Sequence, residues 1–540
     1  MGLYLNPGNE EFRNAAIHSK IYVDKTEMIK FTNSQLFGEH KNICVSRPRR
    51  FGKSMAANML VAYYSKGCDS KELFENFKIA DDSSFKEHLN KYNVIHLNIQ
   101  QFLGRTETIH EMLELLSRKV TRELKREFAD VTYYEEDLVS VIEEIYAQTH
   151  SFFVFIIDEW DCVIRNSDDK ALVHQYLQFL HSLFKSEESK TFLALGYITG
   201  ILPIKKIWDE SALNNFCEYT MLKSKPITKF YGFTEEEVKE LCKKYQLDFD
   251  SVKAWYNGYL IDGIHMYNPN SVVQALLDQD FDSYWKNTSS FASINTFVTM
   301  NYAGLKDDVM MMLAGGKVRV NTSTFQNDFS TIASKDDALT ALIHLGYLGY
   351  DADRKKAFIP NYEVASAFES ALQVGGWSEI AKAISHCDEL LDETIDGNAE
   401  RVAELIEIAH DTYTSILKYN DENSLSCVLT MAYFTAPAYY NIIREMPAMK
   451  GFADMVFIPR KNAGFRPAMV VELKYDESAD SAITQIKERR YHGALSGYSD
   501  KILLVGVNYD AAGKDKKRHT CVIEEWPGDI LEYREDRKEG

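Results

Sequence analysis

The segment Ile43-Cys44-Val45-Ser46-Arg47-Pro48-Arg49-Arg50-Phe51-Gly52-Lys53-Ser54-Met55 most limits what this chain can fold into. A short apolar run, a Pro- and Gly-bearing turn and a helix start follow one another without a break. That order predicts a buried strand whose end passes straight into a helix covering the sheet. Gly52 lets backbone approach an anion, Lys53 can reach β- and γ-phosphates, and the Ser54 hydroxyl can ligate Mg²⁺. The spacing G-x-x-x-x-G-K-[ST] fails at its first position, where Arg47 stands, so these residues alone are a weak signal. Their surroundings strengthen it: from His40 to Cys68 there is no Asp or Glu, while Lys41, Arg47, Arg49, Arg50, Lys53 and Lys66 all occur.

A nucleotide hydrolase needs a second half to such a site, and the chain supplies one. Phe152 to Ile157 is an unbroken apolar run that ends in Asp158-Glu159. An Asp at the end of a buried strand can hold Mg²⁺, and a Glu beside it can polarise the attacking water. A further run, Phe192 to Leu195, leads through Gly196-Tyr197-Ile198 to Thr199, which is placed to sense the γ-phosphate or the water. Lys205 is a weaker candidate of the same kind. With Asn42–Val45 and Val94–Ile99 these runs make four strands, separated by helical spacing at Ile109–Phe128 and Leu172–Phe184. The alternation predicts a parallel sheet wrapped by helices.

Farther along, the strand signal fades. Thr234 and Glu237 form a capping box at a helix start, and Ile380–Leu391 and Ala399–Leu417 carry helical periodicity. Strands return at Ala453–Ile458, Ala468–Leu473 and Ile502–Val507, with a helix predicted over Ser481–Leu495. The expected organisation is 1–220, 221–410 and 411–540. In the last part, period-2 geometry puts Glu472 and Lys474 on one side of a strand, and a hairpin would bring Asp454 beside Glu472. Two carboxylates can hold Mg²⁺ while a lysine orients water or stabilises developing phosphate charge. Acidic and basic residues alternate on many solvent-facing strands, so this spacing alone is a poor signal.

Tyr22-Val23-Asp24-Lys25-Thr26, Arg47-Pro48-Arg49-Arg50-Phe51-Gly52-Lys53-Ser54 and Ile157-Asp158-Glu159 together resemble a family of bacterial AAA-ATPase-like proteins. In that family Arg-Pro-Arg-Arg-Phe-Gly-Lys-Ser replaces the ordinary phosphate loop, so Arg47 is a family feature. The resemblance continues through Gly232–Val238, Trp255–Tyr259, Tyr267-Asn268-Pro269 and Leu345–Leu348. It closes on Arg444–Asp454, Val470–Lys474, Gln485-Ile486-Lys487 with Tyr491, and Val505–Tyr509, which are similar to a C-terminal PD-(D/E)XK nuclease domain. What it implies is an α/β chain with three parts. These are an AAA-like P-loop parallel-sheet domain, helical middle subdomains and a small α/β nuclease-like domain. ATP would be held by Arg49, Arg50, Phe51, Gly52, Lys53, Ser54, Asp158 and Thr199, with Mg²⁺ on Ser54 and Asp158 and Glu159 as base. A second Mg²⁺ would sit on Asp454 and Glu472, with Lys474 and Gln485 completing the site and Glu422 as a weaker further contact. The partners implied are ATP and, at the C-terminal domain, nucleic acid, with DNA expected. That nucleotide state controls access to the nuclease site is a coupling hypothesis resting on domain order alone.

Composition sets the outer limits. Forty-five per cent apolar residues, 31 Tyr, 30 Phe and only 11 Pro exclude a mainly disordered chain. No apolar run near a motif approaches the roughly 20 residues of a membrane span. The N-terminus shows no signal peptide, and Asn6 breaks a myristoylation pattern. Eight scattered cysteines without a CxxC fit reduced thiols in the cytoplasm. A net charge of −19 argues against a general polyanion binder, yet Asn441–Gly540 holds 17 Lys+Arg and 17 Asp+Glu and is neutral. Other motifs are expected to be structural. Gly315-Gly316-Lys317 reads as a helix C-cap, and His110-Glu111 lacks the second His of a zinc protease. Cys44 reads as core, and His519-Thr520-Cys521 as a surface turn feeding an edge strand. Two alternatives stay open, a nucleotide-dependent switch that binds without cutting and an interaction protein whose acidic sites are solvated turns. An oligomer is also left open.

Overall fold

A computed structural model of the chain describes residues 2–167, 169–204, 213–284, 297, 302, 304–327, 329–374, 378–417, 422–448, 451–460, 464–489, 495, 501–512 and 518–527. Contacts divide the chain into two units. One comprises Met1–Tyr245, Asn257–Val273 and Arg319–Ala357; the other comprises Gln246–Tyr256, Gln274–Val318 and Phe358–Gly540. The stretch 221–410 thus contributes to both.

The first unit is built on β1 (Asn42–Ser46), β2 (Asn93–Asn98), β3 (Phe153–Asp158), β4 (Leu193–Gly200) and β5 (Cys217–Tyr219), in the order β2-β3-β4-β1-β5. Every pairing in this sheet is parallel. All six residues of β3 are buried, which requires apolar cover on both faces. Its side chains alternate accordingly. Phe153, Phe155 and Ile157 join the core made with α2 (Ile109–Glu127), α3 (Leu138–Thr149) and α4 (Lys170–Phe184). Val154 and Ile156 join the opposite core, which contains Ala57, Leu60, Val61 and Tyr64 of α1 (Lys53–Tyr64). Truncating a side chain as enclosed as Phe155 costs about 3–5 kcal/mol in such cores. The four expected strands and both helices are present. The fifth strand, β5, was not anticipated: it has three residues with a glutamate at its centre, and only its register on β1 makes it a strand.

The capping box before α5 (Glu235–Tyr245) forms as expected. Thr234 N–H donates to Glu237 Oε2 at 2.8 Å, and Glu237 N–H donates to Thr234 Oγ1 at 3.3 Å. Short strands Tyr259–Ile261 and Ile264–Tyr267 make a hairpin joined by Phe233–Thr234, and Val318–Arg319, Gly349–Asp351 and Lys356–Phe358 form a second small sheet, so this stretch is less purely helical than expected. Gly315 takes φ +84° just after helix Leu305–Leu313, and its N–H reaches Met312 O at 3.0 Å. It is a helix terminus, as its sequence implied.

In the second unit, α6 (Ser378–Ile395), α7 (Ala399–Leu417) and α8 (Glu422–Ala432) precede a five-stranded sheet. Its strands run in sequence order: β6 (Tyr440–Ala448), β7 (Gly451–Pro459), β8 (Ala468–Tyr475), β9 (Lys501–Tyr509) and β10 (His519–Pro527). Only β8 and β9 are parallel, and α9 (Ala479–Arg489) lies between them in the chain, as a parallel crossover needs. The edge strand expected at His519-Thr520-Cys521 is β10, whereas β6 escaped the sequence because it is not a clean apolar run and contains Pro447, which an edge strand tolerates. The expectation of a surface turn at His519 is corrected. His519 is buried as the first residue of β10, its Nδ1 2.6 Å from Glu407 Oε2 and its Nε2 3.0 Å from His410 Nδ1. Partners more than 100 residues away in sequence keep it out of solvent.

Gly506 of β9 lets α9 lie directly on the sheet. A Cβ there would overlap the Ala479 carbonyl oxygen and stand 3.0 Å from Ile483 Cγ1. Gly506→Ala is expected to destabilise this unit by about 1–3 kcal/mol, read as an earlier transition in thermal or urea unfolding.

Candidate functional site

The loop between β1 and α1 wraps around one ammonium group. Gly52 takes φ +86°, in the left-handed region, and precedes α1. Lys53, 5% exposed, turns its Nζ back to the carbonyls of Arg47 and Pro48, both at 3.0 Å. Burial lowers its pKa, opposed by the charges of Glu159 and Asp158. Arg47, standing where the usual loop has glycine, is fully buried. It donates to Ser46 O at 2.8 Å, to Tyr219 O at 3.2 Å and to Ser224 Oγ, and it lies 5.5 Å from the Tyr231 ring centre. Even with burial pulling its pKa down to about 10, it keeps its proton at neutral pH. Arg47 is therefore a strut tying the loop to β5. Phe51 is buried too, edge-on to Tyr259 with centroids 5.2 Å apart, while Arg49 and Arg50 are exposed. Of the expected nucleotide ligands, Phe51 has only its backbone left to offer.

Three elements meet at Asp158. It ends β3, is 3% exposed, and accepts hydrogen bonds from Ser54 Oγ at 2.5 Å, Thr199 Oγ1 at 3.0 Å and Glu159 N–H at 3.0 Å. The register that pairs Asp158 with Thr199 places the sensor candidate across the strand boundary. A buried carboxylate next to a hydroxyl is a hard-oxygen pair of the kind Mg²⁺ takes, so the residues fit that ion. Glu159 adopts φ +53°, unusual for a residue with a Cβ. Burial raises its pKa, with the Lys53 charge opposing. Sequence reasoning missed Arg165, whose Nη2 lies 2.7 Å from Glu159 Oε2 and whose Nε lies 2.9 Å from Asp161 Oδ2. The i,i+4 spacing of Asp161 and Arg165 directly after the acidic pair was the available signal. Lys205 lies outside the described residues.

In the other unit, β7 and β8 pair antiparallel with Met455 opposite Val471, which sets Asp454 beside Glu472. Leu473 N–H donates to Asp454 Oδ2 at 2.7 Å. Glu472 is 3% exposed, and Gln485 Nε2 donates to its Oε1. Lys474 Nζ donates to Gln485 Oε1 at 2.7 Å, so one α9 amide bridges both β8 residues. Burial, and then the charge of Asp454, push the Glu472 carboxyl up to about 8, against Lys474 and Arg489. Arg489 is a second residue missed, detectable as i+4 from Gln485 on the same helix. Glu472 Oε2 is buried and has no hydrogen-bond partner among the described residues. A hard cation beside two carboxylates would satisfy it, so the residues fit Mg²⁺ here as well. Glu422 begins α8, and its side chain lies outside the described residues, as does Tyr491. Among the described residues no group of three His, Cys, Asp or Glu could hold a metal. An ion at either place would need substrate phosphate or water in its shell, the usual manner of Mg²⁺.

A folded-state pKa above the ordinary value means that the native state binds the proton more tightly. Stability from protonated Glu472 is complete below about pH 4.5 and lost as pH rises through about 8. In metal-free protein, unfolding of this unit is expected to come progressively earlier from pH 5 to pH 9. Glu472→Gln should flatten that slope, as read by denaturant titrations in chelator.

Two family models match the chain. Residues 7–207 match the family described as predicted AAA-ATPase, and residues 420–519 match the PD-(D/E)XK nuclease superfamily. A curated relative, the uncharacterized protein in the vnfD 5′ region of Azotobacter chroococcum mcd 1, is 22% identical over 519 residues, covering 90% of this chain and 92% of that protein. The Aeropyrum pernix ORC2 protein, solved as ADPNP-ADP complexes, aligns at a TM-score of 0.29 and 10% identity over 66% of this chain and 97% of that one. ORC1 of the same organism, solved in complex with DNA, aligns at 0.26 and 12% over 69% and 97%. Likeness at those scores carries nothing further about this chain. The two matches, in that order, give the chain an AAA-ATPase-like domain followed by a PD-(D/E)XK nuclease-superfamily domain.

Proposed function

We propose that the chain binds and hydrolyses ATP with Mg²⁺ at its first site and cuts nucleic-acid phosphodiesters, DNA foremost, at its second. The convergence of Ser54 and Thr199 on the buried Asp158 carboxylate carries the first half. Gly52 and the α1 N-terminus would take phosphate oxygens, with Arg49 and Arg50 at the loop surface and Lys53 released from its carbonyls toward the β- and γ-phosphates. Thr199 would hold the γ-phosphate or the water, and Glu159 would take the water's proton. The second half rests on Asp454, Glu472, Lys474 and Gln485 meeting at one strand pair, with a buried Glu472 oxygen that has no partner among the described residues. Lys474, steered by Gln485, would orient the attacking water, and Glu422 would add an outer contact. Bound Mg²⁺ would neutralise phosphate charge at both sites.

The same proposal divides the work among 1–220, 221–410 and 411–540, in the cytoplasm. Among the described residues no helix is long and apolar enough to cross a membrane.

Retention of radiolabelled ATP by wild type should be lost, at least tenfold, in Lys53→Ala. Glu159→Gln should keep the nucleotide while its turnover falls about 10²-fold or more. With Mg²⁺, the wild type should cleave DNA, and Asp454→Ala and Glu472→Ala should not. DNA bound but left intact by the wild type would replace the nuclease half with a binding role.

A further inference from the structure

We infer that Arg165 is the positioning residue for Glu159, the link through which the end of β4 holds that carboxylate in place for hydrolysis. The inference rests on the ATPase role proposed above. Its basis is a chain of contacts that the proposed chemistry does not itself use. Asp161 is fully buried, and its Oδ2 accepts from Ile201 N–H at 3.0 Å and Leu202 N–H at 2.8 Å, the two residues that follow β4. The same oxygen takes Arg165 Nε at 2.9 Å, and Arg165 Nη2 then reaches Glu159 Oε2 at 2.7 Å. Trp160 N–H donates to Thr199 O at 3.0 Å, so the residue after Glu159 is pinned to the same strand end. The fit leaves little slack: a Cβ on Gly200 would stand 2.5 Å from Asp161 Oδ1.

Two features set this apart from an ordinary ion pair. Glu159 sits at φ +53°, a strained conformation that persists only where surroundings over-determine it. Arg165 grips one carboxylate oxygen only, and among the described residues Oε1 of Glu159 accepts no hydrogen bond. A base that must meet a water needs one oxygen fixed and one available. A partly buried guanidinium shared between two carboxylates is weak as a source of stability, which makes its place beside the base the informative fact.

The test uses the full chain and separates acting through Glu159 from merely supporting the fold. Arg165→Met should lower kcat for ATP at least tenfold with the ATP Kd within about threefold of wild type, the pattern of a misplaced group. Arg165→Lys should recover part of that loss. In a Glu159→Gln background, Arg165→Met should change the residual single-turnover rate by less than about twofold, because nothing remains for it to position. An equal fractional loss in both backgrounds, or an unchanged or raised kcat in Arg165→Met alone, would overturn the inference. Failure of the ATPase role looks different: Glu159→Gln then turns over like wild type, and Arg165 loses its role with it.

Discussion

Asp158 is a carboxylate at the end of a strand whose every residue is buried, and taking such a group out of water is tolerable only if polar partners replace the water. The fold of the first unit can be understood as the supply of those partners. α1 brings Ser54, β4 brings Thr199 in register, and the chain's own turn brings the Glu159 amide. Each contact requires an element to begin or end where it does. Gly52 must be left-handed for α1 to start beside the strand, and Arg47 must be buried for the loop to stay tied to β5. The site proposed for phosphate and a divalent ion is thus also the place where the sheet satisfies its most awkward group.

The second unit repeats the problem with a different answer. Glu472 is equally buried and has Asp454 as a neighbour of like charge. One of its oxygens is served by Gln485 and the other by no group among the described residues. Protonation relieves this in the absence of a cation, and a cation would relieve it at higher pH. Gly506 belongs to the same solution, because only a residue without a side chain lets α9 approach closely enough for Gln485 to reach β8.

Much of this was legible in the residues. The long apolar runs marked the inner strands, since a strand buried on both faces has no choice but to be apolar throughout. The acidic pair after Phe152–Ile157 and the spacing of Glu472 and Lys474 marked the chemistry. Short or edge elements stayed hidden: β5 has a glutamate at its centre, and β6 carries a proline. Such strands are made by pairing with a neighbour, and no local pattern records that.

The sequence by itself determined the two domain types, their order, and the residue types each site would use, because these follow from local patterns and from composition along a single stretch of chain. Only the tertiary structure decided which of those residues meet. It seated Arg47 in the interior as a strut, gave Lys53 its carbonyl partners, set Gln485 between Glu472 and Lys474, and placed Arg165 against Glu159. It also buried His519 against Glu407 and His410, where a local view had seen a surface turn. The physical reason is that burial and hydrogen bonding are properties of neighbours in space, and those neighbours come from elsewhere in the chain.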